Sequence, residues 1–419
     1  MTIEDTLRRT YDDHLGGLDL PPGDASRARR SGIRMRRRRR LTVGAVAATV
    51  AAVALVGVVD ARTGTSVQPS APLGHWRELP TPPLSPRAEA RVVWTGSEAI
   101  VLGGTTEVCP PAADCASTLG DDLRDGAAYN PTTSSWRAIP PAPVSVSGAQ
   151  LVVADGVVVL EDHSVSRSRW FTYEPDHNRW SRIRQVPQGV GDGLSAIGTR
   201  VYVSRGRGVA VYDVRRFHWS LLPPDRIQPL LTAGTVTATT SGPVMTGVDS
   251  TQPNDGTEPS LVLADVWDGT TWRRLPPSDQ LQGEFTWTGH RLVDPSPFTE
   301  NGGEVNGWGR DIPEGGTLDP ATGEWGRLPR ALSGDPGGWT VSTQDDGVDD
   351  SDGGWFAVAG QVYDDDSGRV YTLDRPDGAP DFAVAGAWAG DRLLAFGGTD
   401  SAQGFSGDAL SNGAWLWSP

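Results

Sequence analysis

From about residue 74 to the C-terminus, short hydrophobic runs alternate with polar turns rich in Gly, Pro, Asp and Asn. Many of these runs come in pairs, with a tight turn between them and a tryptophan near the start of the second run. The clearest pair leads from Leu318 through Asp319, Pro320 and Gly323 to Trp325. Short apolar runs separated by such turn residues predict antiparallel strands joined by hairpins.

This pair of strands recurs seven times, at a mean spacing of about 49 residues. In chain order the tryptophan position holds Trp76, Trp136, Trp180, Trp219, Trp272, Trp325 and Val370. A period near 50 residues is typical of β-propellers, in which each repeat is one four-stranded blade. The copy that leads from Trp267 to Trp272 has a turn two residues shorter than the others.

The seventh copy is split between the two ends of the domain. Residues 415–419 match its first half, and residues 75–80 match its second half. We therefore expect the strand at 75–79 to pair beside the strand at 414–417 and close the ring without an open edge. Inner strands are expected near residues 149–153, 194–197, 231–239, 284–287, 339–343 and 381–388.

The repeat resembles the kelch repeat, which occurs in kelch proteins and in the propeller domain of galactose oxidase. The resemblance covers residues 74–419, and blades one and seven also carry the kelch Gly-Gly pair, as Gly103-Gly104 and Gly397-Gly398. It implies an all-β fold, a seven-bladed kelch-type propeller. The copper ligands of galactose oxidase do not carry over, because both cysteines lie in one loop and the histidines fall on turns and outer strands. We assign no cofactor, no metal ligand and no catalytic residue.

The N-terminal part has a different character. Residues 1–40 are Arg-rich, residues 41–59 form an uncharged run rich in Ala and Val, and residues 60–74 read as a linker. A run of this length predicts a single transmembrane helix. The preceding arginines place the N-terminus in the cytoplasm and the propeller, residues 75–419, outside it. An export signal cut after Ala61 is the alternative.

The net charge also differs between the N-terminal part and the rest of the chain. Residues 1–40 carry a net charge of +5, and the remainder carries −20. Nucleic-acid binding requires clustered cations, so an acidic propeller of this kind argues against a nucleic-acid partner.

Four long insertions join strands at one end of the predicted ring, at residues 105–126, 249–260, 294–315 and 399–413. Long loops gathered on a rigid scaffold commonly carry binding residues. Trp and Arg dominate interface energies, so we expect a protein or glycan partner to contact this face. The candidate binding residues are Trp308, Arg310, Asp311, Phe298 and Phe405.

Cys109 and Cys115 are the only cysteines and lie in the first of these loops. Two cysteines close in sequence, in a domain outside the cytoplasm, predict a local disulfide bond.

All 37 Lys and Arg residues are arginine, which suggests a GC-rich bacterial genome. Together these features predict a bacterial, single-pass membrane protein whose extracytoplasmic propeller binds a protein, a glycan or an envelope component. Two alternatives stay open. The propeller could be an enzyme, such as a lyase, hydrolase or oxidase, or the protein could be a regulator that acts through residues 1–40.

Overall fold

The structure is a computed structural model. It describes residues 74–106, 123–146, 149–162, 168–191, 193–206, 208–225, 231–249, 251, 259–281, 283–294, 300–301, 312–313, 315–328, 338–343, 354–358, 360–400 and 409–419. Within these residues no helix is long and apolar enough to cross a membrane. The predicted segment 41–59 lies outside them.

The described strands form a seven-bladed β-propeller. Strand β1 is His75–Glu78, and blade one consists of β2 (Arg91–Trp94), β3 (Ala99–Leu102), β4 (Gly126–Asn130) and β5 (Ser135–Ile139). Blade two consists of β6 (Ala149–Ala154), β7 (Val157–Asp162), β8 (Arg169–Glu174) and β9 (Arg179–Ile183), with a 3-10 turn at Pro175–His177. Blade three consists of β10 (Leu194–Ile197), β11 (Arg200–Arg205), β12 (Gly208–Asp213) and β13 (His218–Leu221).

The later blades follow the same plan with two variations. Blade four consists of β14 (Leu231–Thr237), β15 (Val244–Asp249), β16 (Leu263–Trp267) and β17 (Trp272–Arg274). Blade five contains β18 (Thr286–Trp287) and β19 (Leu292–Asp294), then a separate hairpin of β20 (Glu300–Asn301) and β21 (Ile312–Pro313), then β22 (Gly316–Leu318) and β23 (Trp325–Gly326). After β24 (Val341–Thr343), blade six consists of β25 (Trp355–Val358), β26 (Gln361–Asp364) and β27 (Arg369–Thr372). Blade seven consists of β28 (Val384–Ala389), β29 (Arg392–Phe396), β30 (Ala414–Ser418) and β1.

The core lies between the blades. Seven hydrophobic clusters occupy the seven boundaries, and each draws on both neighbouring blades. In β3, for example, Ala99 and Val101 pack toward blade seven, whereas Ile100 and Leu102 pack toward blade two. Successive side chains of a strand point to opposite faces, so a strand buried on both faces is hydrophobic throughout.

The predicted hairpin is confirmed as the unit that repeats. In every blade the predicted partners face each other directly across the third and fourth strands, as Tyr129 and Trp136 do in blade one. The other pairs are Tyr173–Trp180, Tyr212–Trp219, Trp267–Trp272, Leu318–Trp325, Tyr363–Val370 and Trp417–Trp76. Opposed aromatic side chains stabilise a sheet by about 0.2–1 kcal/mol a pair.

The hairpin turn itself is held by an acid or amide side chain rather than by Pro and Gly alone. In blade five, Oδ1 of Asp319 accepts hydrogen bonds from the backbone N–H groups of Ala321 (2.8 Å) and Thr322 (3.3 Å). Asn130, Asp213, Asp268 and Asp364 accept the same pair of bonds in blades one, three, four and six. This Asx turn explains why Asp or Asn recurs at the end of the third strand.

Ring closure is confirmed. β1 pairs antiparallel with β30, with Trp76 opposite Trp417, and the N–H of Leu79 extends the ladder to the carbonyl of Ala414 at 2.8 Å. The last blade therefore takes three strands from the C-terminal end of the chain and one from residues 75–78.

The prediction that residues 339–343 form the inner strand of blade six is only partly right. β24 forms within this range, but it pairs in parallel with β28 of blade seven rather than with β25. Two features account for this. Trp339 and Val341 are buried in the cluster between blades six and seven. Gly386 of β28, opposite Thr343, leaves room for Val341, because a Cβ added to Gly386 would lie 2.3 Å from Cγ1 of Val341.

The two Gly-Gly pairs flank the connector from β1 to β2. The N–H of Gly398 donates to the carbonyl of Arg87 (2.9 Å), and the N–H of Thr105, next to Gly104, donates to that of Ala88 (2.9 Å). A Cβ on Gly104 or Gly397 would lie 2.7 Å from one of these carbonyl oxygens. The pairs in blades one and seven thus make room for the chain that joins them.

Arg87 fixes this connector. Its side chain is fully buried and donates five hydrogen bonds, two of them to the carboxylate of Asp125 at 2.7 and 2.9 Å. The other acceptors are the carbonyl of Gly103 and two oxygens of Ser85. The hydrogen bond from Arg87 lowers the pKa of Asp125, against the opposing effect of burial.

We expect Arg87→Met to lower the free energy of unfolding by about 2–4 kcal/mol, because it removes a buried network and leaves its acceptors without donors.

Asp125→Asn should lower the free energy of unfolding by only about 1 kcal/mol, because the Asp125 side chain is half exposed. A carboxyl whose pKa is lowered by folding stabilises at neutral pH and loses that contribution as the pH falls through its folded-state pKa. The deficit of Asp125→Asn should therefore be clear at neutral pH and shrink below about pH 4, as measured by denaturant unfolding. A deficit that grows in acid, or an Arg87→Met protein as stable as wild type, would contradict this account.

Candidate binding groove between blades three and four

A groove of about 550 Å³ lies at the boundary between blades three and four. It is on the face of the ring that carries the turns from first to second strand and from third to fourth strand. Its lining residues are Arg200, Tyr202, Val211, Asp213, Arg216, His218, Ser220, Leu222, Thr240, Ser241, Gly242, Pro243, Trp267, Asp268 and Gly269.

At other boundaries on this face, polar side chains tie each blade to the hairpin of the next. Between blades five and six, Nε of Arg291 donates to Asp365 at 2.7 Å, and Oγ1 of Thr288 donates to the same carboxylate at 2.9 Å. Between blades two and three, Arg215 forms an ion pair with Asp155. In these contacts the turn after the first strand of one blade meets the turn after the third strand of the next.

The boundary between blades one and two is tied in a related way by Arg137 at the outer strand. Arg137 pairs with Glu98 of its own blade and donates to Oδ1 of Asn178 in the next hairpin at 2.9 Å. The hydrogen bond to Glu98 raises the pKa of Arg137, so this cation stays charged.

Between blades three and four, the structure gives no ion pair across the boundary among the residues that it describes. The hairpin of blade four passes from Trp267 to Trp272 and lacks two residues that the other hairpins have. Its turn is still closed by Asp268, whose Oδ1 accepts from Thr270 and Thr271 at 2.8 Å. We infer that the shorter turn does not reach the turn at residues 198–200 of blade three and leaves the groove in its place.

One wall of the groove is a face of blade three. The residues alternate along each strand: Arg200 and Tyr202 on β11, Val211 and Asp213 on β12, and His218 and Ser220 on β13. In the register of the sheet, Arg200 lies opposite Asp213, and Asp213 lies opposite His218. This wall is therefore polar at the rim, where Arg200, Asp213 and His218 form one row, and more apolar toward the interior.

Arg216 neutralises the carboxylate in that row. Its Nη1 lies 2.9 Å from Oδ2 of Asp213, which is buried. Burial alone would raise the pKa of Asp213, but the backbone N–H groups of Arg216 and Arg215 and the Arg216 guanidinium together lower it. Asp213 is therefore ionised at neutral pH and already has its counter-charge.

Arg200 is exposed and has no hydrogen-bond or ion-pair partner among the described residues. Its charge is available to a ligand, and His218 and Arg216 stand at the same rim. The charged residues that line the groove are two arginines, Arg200 and Arg216, and two aspartates, Asp213 and Asp268.

The opposite wall belongs to blade four and is rigid. The turn at 240–243 is tied to β16, because the N–H of Trp267 donates to the carbonyl of Pro243 at 3.0 Å. A Cβ on Gly242 would lie 2.0 Å from the carbonyl oxygen of Trp267, so only glycine permits this approach. The Trp267 ring packs on Trp272 with centroids 5.6 Å apart and lines the groove.

The groove thus offers an unpaired guanidinium, an aromatic surface and the hydroxyl groups of Ser220, Thr240 and Ser241. This set can bind a ligand that carries a carboxylate beside an apolar or planar group. It contains no metal-binding cluster, and none occurs elsewhere among the described residues.

The site residues predicted from sequence lie outside the residues that the structure describes: Trp308, Arg310, Asp311, Phe298, Phe405, Cys109 and Cys115. The predicted loop 294–315 does contain the hairpin of β20 and β21, and Ile312 at its base is fully buried. The long-loop face and the disulfide remain predictions.

Sequence reasoning missed the groove, although two signals pointed to it. One is the short hairpin of blade four, and the other is tryptophan at position 267, where four other blades carry tyrosine directly before the turn. His177 and His218, which lie at hairpin turns, are exposed to solvent.

No family model matches the chain, and no curated protein matches it. Among solved structures, that of YjhT is similar to the chain, with 15% sequence identity, coverage of 58% of this chain and 85% of that chain, and a TM-score of 0.36.

Proposed function

We propose that the protein is a membrane-anchored, kelch-type propeller that acts outside the cytoplasm as a binding module for a protein, a glycan or an envelope component. The proposal rests on one observation above all: a rigid, closed ring presents an unpaired cation, Arg200, beside Trp267 in an open groove. Catalysis is not needed to explain this arrangement, since Asp213 already has its counter-charge in Arg216.

The membrane part of the proposal rests on the sequence. The uncharged run at 41–59 follows five consecutive arginines, at 36–40. The kelch part rests on the repeated hairpin and on the Gly-Gly pairs that flank the closing connector. Because β1 begins at His75, the linker at 60–74 leads directly into the closing strand of blade seven.

The location can be measured with reporter enzymes fused after Pro419. A reporter that is active only outside the cytoplasm should be active, and one that is active only in the cytoplasm should not be, because the positive-inside rule keeps residues 1–40 in the cytoplasm. The reverse pattern would overturn the topology. A soluble, secreted protein that begins near Arg62 would instead support a cleaved signal.

Binding can be measured as retention of the purified full-length chain on isolated cell envelopes. Arg200→Glu should lower the apparent affinity by about tenfold, because it reverses the charge of the exposed guanidinium in the groove. Arg182→Glu, at an exposed position on the outer strand of blade two, is the matched control and should bind as wild type does. Trp308→Ala and Arg310→Ala test the long-loop face in the same assay.

Equal retention of the Arg200→Glu protein and the wild type would remove the groove from the proposal. Loss of retention in Trp308→Ala and Arg310→Ala alone, with unchanged melting temperatures, would assign binding to the loops. If none of these variants changes the retention on cell envelopes, the protein is not a binding module of this kind.

A further inference from the structure

The outer strand of blade three, β13, differs from the other outer strands in its exposed side chains. Among the described residues only three large hydrophobic side chains are exposed, and two of them, Phe217 (66%) and Leu221 (52%), bracket β13. The positions equivalent to Leu221 in the other blades are polar, charged or small: Glu78, Ala138, Arg182, Arg274, Arg327 and Thr372. Charged and small residues at such positions keep a sheet edge from pairing with another chain. Blade three lacks this protection.

Phe217 also carries a conformational cost. Its φ is +52°, in the left-handed region, where the equivalent residues of other blades are Ser134, Asn178, Gly323 and Gly368. A residue with a Cβ is disfavoured there by roughly 1–2 kcal/mol relative to the right-handed form, and glycine avoids this cost. Phe217 is 66% exposed, so a bulky aromatic side chain at this strained position gains little from burial, which suggests a role in binding.

The backbone of β13 is open on its outer side. β13 is the last strand of its sheet, and the N–H of Leu222 donates inward to the carbonyl of Val209 at 2.9 Å. Because N–H and C=O groups alternate in direction along an antiparallel strand, Trp219 and Leu221 turn theirs outward. Among the described residues no strand pairs with these groups.

The two faces that flank this open edge have opposite chemistry. Trp219 packs toward blade two, and Leu221 lies on the same face, so that face is apolar. His218 and Ser220 lie on the other face, which is a wall of the groove and carries Arg216 and Arg200. A strand added outside β13 would place alternate side chains on these two faces.

We propose that β13 captures an extended peptide by strand addition, and that the peptide alternates acidic with apolar side chains. The backbone edge supplies hydrogen bonds, the groove face with the exposed guanidinium of Arg200 takes the acidic side chains, and Phe217 and Leu221 take the apolar ones. This inference rests on the proposed binding function and names its partner as an acidic, amphipathic β-strand of another protein.

The test uses the full-length chain and a fluorescent synthetic peptide of alternating glutamate and valine, about eight residues long to match a typical strand. Fluorescence anisotropy should show saturable binding of this peptide, and binding at least tenfold weaker of two controls. One control alternates lysine with valine, and the other has a central proline, which cannot donate in the ladder.

Three variants separate the contributions of Leu221, of the groove face and of Phe217 to peptide binding. Leu221→Arg introduces the residue that blades two, four and five carry at this position and should weaken binding at least tenfold, as should His218→Glu on the groove face. Phe217→Gly should weaken binding while raising the melting temperature, because it relieves the left-handed strain. Gly368→Ala, at φ +68° with no atom near its added Cβ, is the control for that strain and should lower the melting temperature without affecting binding.

Equal binding of the glutamate and lysine peptides, or wild-type affinity in Leu221→Arg, would overturn the strand-addition proposal. The same holds if an oligomer of uronic acids binds in the groove and the glutamate–valine peptide does not. In that case a loss of envelope retention in Arg200→Glu would still support the groove as a binding site, so the two proposals fail separately.

Discussion

The structure depends on the coverage of each blade by its neighbours. A four-stranded sheet with two apolar faces cannot bury both alone, and in this chain every face is buried in one of seven inter-blade clusters. The clusters draw on all strands of the blades, so a change in one hairpin alters the boundary with the preceding blade. Closing the ring through β1 and β30 leaves no blade uncovered, and the buried Arg87 holds the connector that makes this closure.

The groove forms where part of the face of blade three is not covered by blade four. It does not depend on an additional strand or loop. Three other boundaries are tied by Arg137, Arg215 and Arg291, whereas Arg200 is exposed beside the short hairpin of blade four. Arg200 and His218 then face solvent instead of a neighbouring turn. In this chain the shorter hairpin of blade four accompanies a groove on the face that carries the turns from first to second strand and from third to fourth strand.

Much of the fold could be predicted from the sequence, because its strongest signal is local. Each hairpin pairs residues a few positions apart, so the register of Tyr129 with Trp136 follows from spacing and turn chemistry. The closure of β1 on β30 could be predicted from the split repeat. The parallel pairing of β24 with β28 could not, because it depends on the fit of Val341 against Gly386, two residues that are far apart in the chain. The groove was missed for the same reason: the missing length lies in blade four, but its effect is on side chains of blade three.

The most direct test of this account restores the missing length. Replacing residues 268–271 with the six residues 319–324 gives blade four the hairpin of blade five. The exposure of Arg200 can then be followed by its rate of modification with an arginine-directed dicarbonyl reagent, read by peptide mass spectrometry, with Arg182 as the internal reference. If the short hairpin opens the groove, the modification of Arg200 should slow several-fold relative to Arg182 while the protein keeps or gains thermal stability. An unchanged rate at Arg200 in a folded chimera would show that the hairpin does not open the groove.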